Sequence, residues 1–214
     1  MDDFKLTPPV ADAQGQADSD HYPTPPLLAQ AGVDMAVELY GERPKMLIEP
    51  GCSERAPFVA AARRLEIEAC GIELRDVAEH AWIKPGLNYL AGGQPRRIAR
   101  GADIIITNPP FSLAVEFITQ AMEDISDRGL VVMLLQTGIE GSAARRTFWN
   151  VYQPVFRYVV RPRPGFVKGG NDSREYAFYV WVSPAFALHL RAMGRNWTET
   201  RFLDNEGTWG RAEQ

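Results

Sequence analysis

Asn108, Pro109, Pro110 and Phe111 stand together directly after the apolar run Asp103-Ile104-Ile105-Ile106-Thr107. These four residue types suit one task, which is to hold a planar amino group for attack on an electrophile. The lone pair of an exocyclic amine on an aromatic ring is delocalised, so the nitrogen is a poor nucleophile. Two acceptors that bind its N–H groups can turn the lone pair toward the reacting atom. The side-chain carbonyl of Asn108 and the backbone carbonyl of Pro109 can supply them. Pro109 has no N–H, and the two prolines stiffen the turn, so the acceptors are placed in advance. Phe111 offers a flat apolar face on which an extruded base can stack.

Elements must carry these residues to one place. Leu27, Leu28, Ala31, Met35, Ala36 and Leu39 recur at helical spacing. Met46 to Ile48 reads as a first strand, Ala60 to Leu65 as part of a helix and Ala69 to Ile72 as a second strand. A helix over Arg75 to Trp82 and a short third strand over Leu87 to Leu90 are expected next. Asp103 to Thr107 reads as a fourth strand, buried on both faces. A helix over Leu113 to Ile125 and a fifth strand over Leu130 to Leu135 follow. Val155 to Val160 and Tyr176 to Val182 form a β-rich pair around a basic Pro/Gly loop at about 161–175. Strands alternating with helices predict a doubly wound α/β fold with a mostly parallel, seven-stranded sheet and an antiparallel last strand pair. Residues 1–19 are polar and acidic and are expected to be a mobile tail. Residues 20–214 are expected to form a single domain.

Net charge is −4, which alone disfavours a nucleic-acid partner. Its distribution is uneven, with eight acids and one base (Lys5) from Met1 to Glu42, but seven bases and one acid (Asp172) from Arg145 to Arg174. That asymmetry fits a basic face for a phosphate backbone, or a solvated surface with scattered arginines. Arg145, Arg146, Arg161, Arg163 and Lys168 are the candidate strand contacts, and Ser173-Arg174-Glu175 could reach bases, with nothing to specify which. Trp149, Phe148, Phe156 and Trp181 read as core. The two cysteines, Cys52 and Cys70, form no disulfide framework, and His21, His80 and His189 lie far apart. A reducing cytoplasm and no metal site are therefore expected. The Met1-Asp2-Asp3 start fits neither a signal nor a transit peptide, and no apolar run reaches the length of a membrane span.

Asn108-Pro109-Pro110-Phe111 resembles motif IV of the amino-group DNA methyltransferases. Leu47-Ile48-Glu49-Pro50-Gly51 is similar to the start of their motif I, which holds S-adenosylmethionine (SAM). Asp20-His21-Tyr22-Pro23-Thr24-Pro25-Pro26 is similar to the N-terminal segment that closes over the methionine end of SAM, although Tyr22 equally suits packing on the first helix. The order of motifs resembles that of phage and restriction adenine methyltransferases. The resemblance implies a Rossmann-like class I fold with SAM as cofactor and no metal. Its cofactor contacts would be Tyr22, Thr24, Pro25, Glu49, Pro50, Gly51, Cys52, Glu73, Leu74, Asn88, Tyr89 and Asn108. Glu73 would grip the ribose, and Asn88-Tyr89-Leu90, in place of the usual Asp-Phe-Leu, would touch the adenine. Catalysis would rest on Asn108, Pro109, Pro110 and Phe111, acting on N6 of a flipped adenine in DNA.

Motif I departs from the family at Ser53 and Arg55, where glycines are usual. Glycine there permits positive φ and a close approach to the ligand. Either SAM binding weakens, or the loop is reshaped with Arg55 outward. Three functions stay open: adenine-N6 methylation of DNA; methylation of RNA adenine, cytosine N4 or a protein glutamine; and a degenerate fold that binds nucleic acid without turnover. Phe111 in place of Tyr points away from glutamine, and Asn108 in place of Ser points away from cytosine. With no large recognition domain in the chain, a short target site or weak sequence preference is expected.

Overall fold

The computed structural model describes residues 23–78, 80–166, 174–192 and 199–209. The expected tail lies outside these residues, as do Tyr22, Lys168 and Ser173. Helix α1 (Pro26–Tyr40) begins with proline in its first turn, where the missing N–H costs nothing, and stops at Gly41 with φ 81°. Strand β1 (Met46–Pro50) leads into α2 (Pro57–Arg64) and β2 (Glu68–Ile72). Edge strand β3 (Ile83–Lys84) and α3 (Gln94–Ala99) precede β4 (Ala102–Thr107). Then come α4 (Ala114–Asp124), β5 (Ile125–Gln136), α5 (Arg146–Val151) and β6 (Phe156–Arg161). Strand β7 (Tyr176–Val182), α6 (Pro184–Ala192) and β8 (Glu199–Asp204) complete the described elements.

The sheet order is β3-β2-β1-β4-β5-β7-β6-β8. Strands β1 to β5 pair in parallel. Strand β7 inserts antiparallel between β5 and β6. The doubly wound α/β fold with an antiparallel pair is as expected. Among the described residues the sheet has eight strands where seven were expected, because β8 adds in parallel to β6.

Alternation along the strands builds two cores. Ile104, Ile106, Leu130, Val132 and Leu134 face one side with α1 and α2. Ile105, Val131, Met133 and Leu135 face the other side with α4. The closeness of the first layer is visible at Gly32 on α1. A Cβ there would lie 2.7 Å from the Phe178 ring, so only glycine lets the helix settle on β7.

Between β2 and α3 the expected elements do not form. The stretch from Arg75 to Trp82 is irregular in its described residues, and the third strand is Ile83–Lys84 rather than Leu87–Leu90. Tertiary hydrogen bonds override local preference here. Glu73 draws the backbone N–H of Arg75 onto its carboxylate (3.0 Å), and Leu87 N–H returns to the Glu73 carbonyl (2.8 Å). Residues 89–91 form a 3-10 turn capped by Asn88. Phe148, Phe156 and Trp181 are buried as expected, and Trp149 packs on the second core.

Candidate active site

Strand order reverses between β1 and β4. The chain leaves β1 for β2 on one side, while β4 goes on to β5 on the other. The carboxyl ends of these two strands therefore open a crevice, the usual place for a ligand in such sheets. Thr107, the last residue of β4, donates its hydroxyl to the Pro50 carbonyl at the end of β1 (2.6 Å). That bond fixes Gly51 and Asn108, each one residue further on, relative to each other.

Gly51 has φ 66°, and its N–H donates to the Ile72 carbonyl (2.7 Å). The loop then runs through Ser53 at φ 60° and Ala56 at φ 40°. Arg55 is not among the positive-φ residues. It is exposed, and borders a small cavity of about 90 Å³ with Thr24, Ser53 and Arg64. Ser53 thus takes up a positive-φ backbone angle that a glycine usually serves, while Arg55 lies exposed. Thr24 and Pro25 are buried at the start of α1. Cys52 is buried beneath the loop, where a Cβ on Gly71 would stand 2.5 Å from its sulfur. Burial pushes the Cys52 thiol pKa up, so it stays protonated and inert.

Two buried carboxylates sit beside this loop, with pKa values shifted in opposite directions. Glu49 accepts from Val59 N–H (2.9 Å) and from Phe58 N–H, capping the start of α2. Burial raises its pKa well above the ordinary value, and the charge of Glu73 adds to that, outweighing the two amide bonds. Burial also acts to raise Glu73, but the bonds and charge of Arg75, with Ser53 N–H, prevail and lower its pKa. Ser53 N–H binds one Glu73 oxygen (2.7 Å), and Arg75 binds the other through Nε (2.8 Å) and N–H (3.0 Å). Leu74 is half-buried beside this pair.

Asn88 spends its side-chain oxygen on Leu90 N–H (3.0 Å). Tyr89 turns into the core, packs against Phe117 and donates its hydroxyl to Asp124 (3.1 Å). Asp124 also takes Arg96 Nε (3.2 Å) and Gln120 Nε2 (3.0 Å). This knot ties α3, α4 and the 89–91 turn together behind the crevice.

Asn108 is half-buried, with its Oδ1 shielded from solvent, and Pro109 is buried. The Pro110 carbonyl accepts from Leu113 N–H (2.9 Å), closing a 3-10 turn over Phe111–Leu113 that feeds α4. Phe111 lies 6.0 Å from the Tyr176 ring and lines a cavity of about 350 Å³ with Gln136, Ile139, Arg145 and Arg174. That volume is within the usual range for small-ligand sites.

The expected strand contacts separate. Arg145 faces this cavity, and Arg146 is exposed at the start of α5. Arg161 makes a bidentate pair with Asp204 (2.7 and 2.9 Å) and lies over Phe202, while Arg163 pairs with Glu175 (3.6 Å). Gln136 was missed in the sequence. It is the last residue of β5, the strand beside β4, and that position at the sheet's carboxyl edge was the available signal. Among the described residues no group of three or more His, Cys, Asp and Glu side chains could hold a metal ion, and no helix is long and apolar enough to cross a membrane.

No protein-family pattern and no curated protein is matched by this sequence. Solved structures do match its fold. A class I SAM-dependent methyltransferase from Listeria monocytogenes aligns with a TM-score of 0.58 at 13% identity, over 77% of this chain and 61% of its own. The fold is that of the class I methyltransferases. A type I restriction-modification methyltransferase subunit from Streptococcus thermophilus shares it, with TM-score 0.58 and 14% identity over 80% of this chain and 47% of its own. An O-methyltransferase from Agrobacterium tumefaciens does so with TM-score 0.56 and 15% identity, over 87% and 89% of the two chains. This chain spans less than two thirds of the length of the first two. At such identities the likeness shows the methyltransferase fold alone.

Proposed function

We propose that this chain transfers a methyl group from SAM to the exocyclic N6 of adenine in DNA, with the target base flipped into the pocket beside Phe111. One observation carries the reading: Asn108-Pro109-Pro110-Phe111 leaves β4 beside the Gly51 loop, held there by the Thr107–Pro50 bond, with Phe111 open to a cavity. The restriction-modification subunit among the fold relatives supports a DNA target.

The crevice fits the cofactor in its backbone and its charge. Gly51 and Ser53 already hold positive φ, and an ionised carboxylate stands at the end of β2. Thr24, Pro25, Pro50, Gly51, Glu73, Leu74, Asn88 and Asn108 would hold SAM, together with Tyr22. Glu49 and Cys52 would act from behind, by shaping the loop, and Tyr89 by anchoring the 89–91 turn to Asp124. SAM supplies an electrophilic methyl group on a sulfonium. The chain supplies position. Asn108 Oδ1 and the Pro109 carbonyl accept the two N–H bonds of the amine. Their bonds strengthen as the nitrogen gains positive charge, which lowers the barrier. Phe111 stacks on the base. Arg145, Arg146, Arg161, Arg163 and Lys168 would contact the strand, setting register rather than sequence.

A second reading, a non-catalytic fold that binds nucleic acid, draws on Glu73, whose two oxygens are already engaged by Ser53 and Arg75. A ribose at Glu73 would share that carboxylate. Calorimetry with SAM separates the two readings. The enzyme reading expects saturable heat below millimolar SAM, retained in Asn108→Ala while methyl transfer falls at least 100-fold. No heat up to millimolar SAM favours the binding module, and equal loss of binding and transfer makes Asn108 structural.

A further inference from the structure

Gln136 is held firmly where β5 ends. Its backbone lies opposite Tyr176 in the antiparallel ladder with β7, and the next residue, Thr137, donates its N–H to the Glu175 carbonyl (3.0 Å). Its side chain lines the cavity that Phe111 also borders. Both adjoin the buried Tyr176: the Phe111 ring lies 6.0 Å from the tyrosine ring, and Gln136 Nε2 lies 3.5 Å from the tyrosine hydroxyl. One cavity thus has a flat aromatic face and an amide on its wall.

Chemistry fixes which end of the amide is which. Arg174 donates to Gln136 Oε1. A guanidinium has no acceptor, so the atom that it meets must be the oxygen, and the other end of the amide is the donor. That nitrogen carries two N–H groups, and the Tyr176 hydroxyl at 3.5 Å engages one at most. A flipped base is read by stacking and by hydrogen bonds along its edge. The carbonyls of Asn108 and Pro109 only accept, so they serve the amine alone. A ring nitrogen beside that amine needs a donor, and an amide is the side chain that pairs with this edge of adenine elsewhere.

We infer that Gln136 reads the target base, its Nε2 donating to a ring nitrogen that flanks the amine, N1 or N7 of adenine. This rests on the proposed adenine substrate and deepens it. Phe111 would set the plane of the base, Asn108 and Pro109 its amine, and Gln136 its rotation within that plane.

Gln136→Glu isolates the donor: it keeps an acceptor for Arg174, but its ionised carboxylate has no N–H. Gln136→Met removes both donor and acceptor. Calorimetric titration of the full chain, as wild type and both variants, uses deoxyadenosine and its 1-deaza and 7-deaza analogues, in each of which one ring nitrogen is replaced by C–H. The wild type should bind deoxyadenosine about fivefold or more tightly than one of the analogues, which names the nitrogen. Both variants should lose that preference while still binding the analogue, which reports a folded pocket. Equal affinity of the wild type for all three ligands, no binding of any up to millimolar concentration, a preference that survives in either variant, or loss of every ligand in both variants overturns the inference. A preference that is lost on substitution, in a chain that transfers no methyl group to DNA, supports the role of Gln136 and overturns the proposed activity instead. Methyl transfer to adenine without any preference overturns the role of Gln136 and leaves the activity standing.

Discussion

Glu49 and Glu73 are both buried, yet their pKa values move in opposite directions. For Glu49 the folded value lies above the unfolded one, about 4.3. The folded chain then binds more protons, so its contribution is fully present below the unfolded pKa and falls as pH rises toward the folded pKa. Glu49→Gln keeps an acceptor for Phe58 and Val59 and removes the proton exchange. Urea unfolding from pH 5 to pH 8 should show a flatter profile for this variant than for the wild type, with stability at neutral pH equal or higher. A profile as steep as wild type would contradict the assignment. Glu73 has the opposite sign, because its folded pKa is depressed. Its stabilisation is present above the unfolded pKa and is lost as pH falls through the folded one. Glu73→Gln should therefore destabilise at pH 7 and have a shrinking effect in acid, read from the same unfolding curves. An effect that grows as pH falls would count against the Arg75–Glu73–Ser53 contact.

At the scale of elements, the loop after β1 and the knot behind it do the positioning. Ser53 holds φ 60° with a side chain present, a conformation that costs of order 1 kcal/mol. Ser53→Gly should raise stability by about that amount, measured by denaturant midpoint, and leave the bond from the backbone N–H of residue 53 to Glu73 in place. A lower midpoint would mean that the serine side chain matters more than the backbone angle. Tyr89→Phe removes a donor from buried Asp124 and should cost about 1–3 kcal/mol. An unchanged midpoint would show that Arg96 and Gln120 satisfy Asp124 without it. Strands β1, β2, β4 and β5 were legible because burial on both faces demands continuous apolar runs such as Ile104-Ile105-Ile106. The segment between Glu73 and Leu90 was not, since a buried carboxylate and a returning backbone bond decide its path. Strand β8 escaped notice for a different reason. Three of its six residues, Glu199, Arg201 and Asp204, are charged and its apolar residues Phe202 and Leu203 are adjacent, so no alternating apolar pattern marks it. At the candidate site, the Asn108–Phe111 corner was legible as a local pattern, and Glu73 only through the resemblance. The pairing of Arg161 with Asp204, or the meeting of Arg145 with Arg174, depends on strand order that no local window contains.

For the molecule as a whole, the sheet's carboxyl edge gathers the Gly51 loop, the Asn108 corner, Gln136, Arg174 and Arg161 along one rim. Under the proposed function an acidic chain would hold a nucleic acid there through the basic residues on that rim, with Arg161 already paired to Asp204. DNA affinity should accordingly fall steeply between 50 and 200 mM salt, as measured by fluorescence anisotropy, and a salt-independent affinity would speak against a phosphate-contacting rim. The central claim is that the Asn108 corner presents an adenine amine to a methyl donor. Incubation of the purified chain with methyl-labelled SAM and adenine-containing DNA, followed by digestion to nucleosides and mass spectrometry, tests that claim most directly. The account predicts label in N6-methyldeoxyadenosine, lost in Asn108→Ala. Label confined to another nucleoside or to protein, or no label in any product, would contradict it.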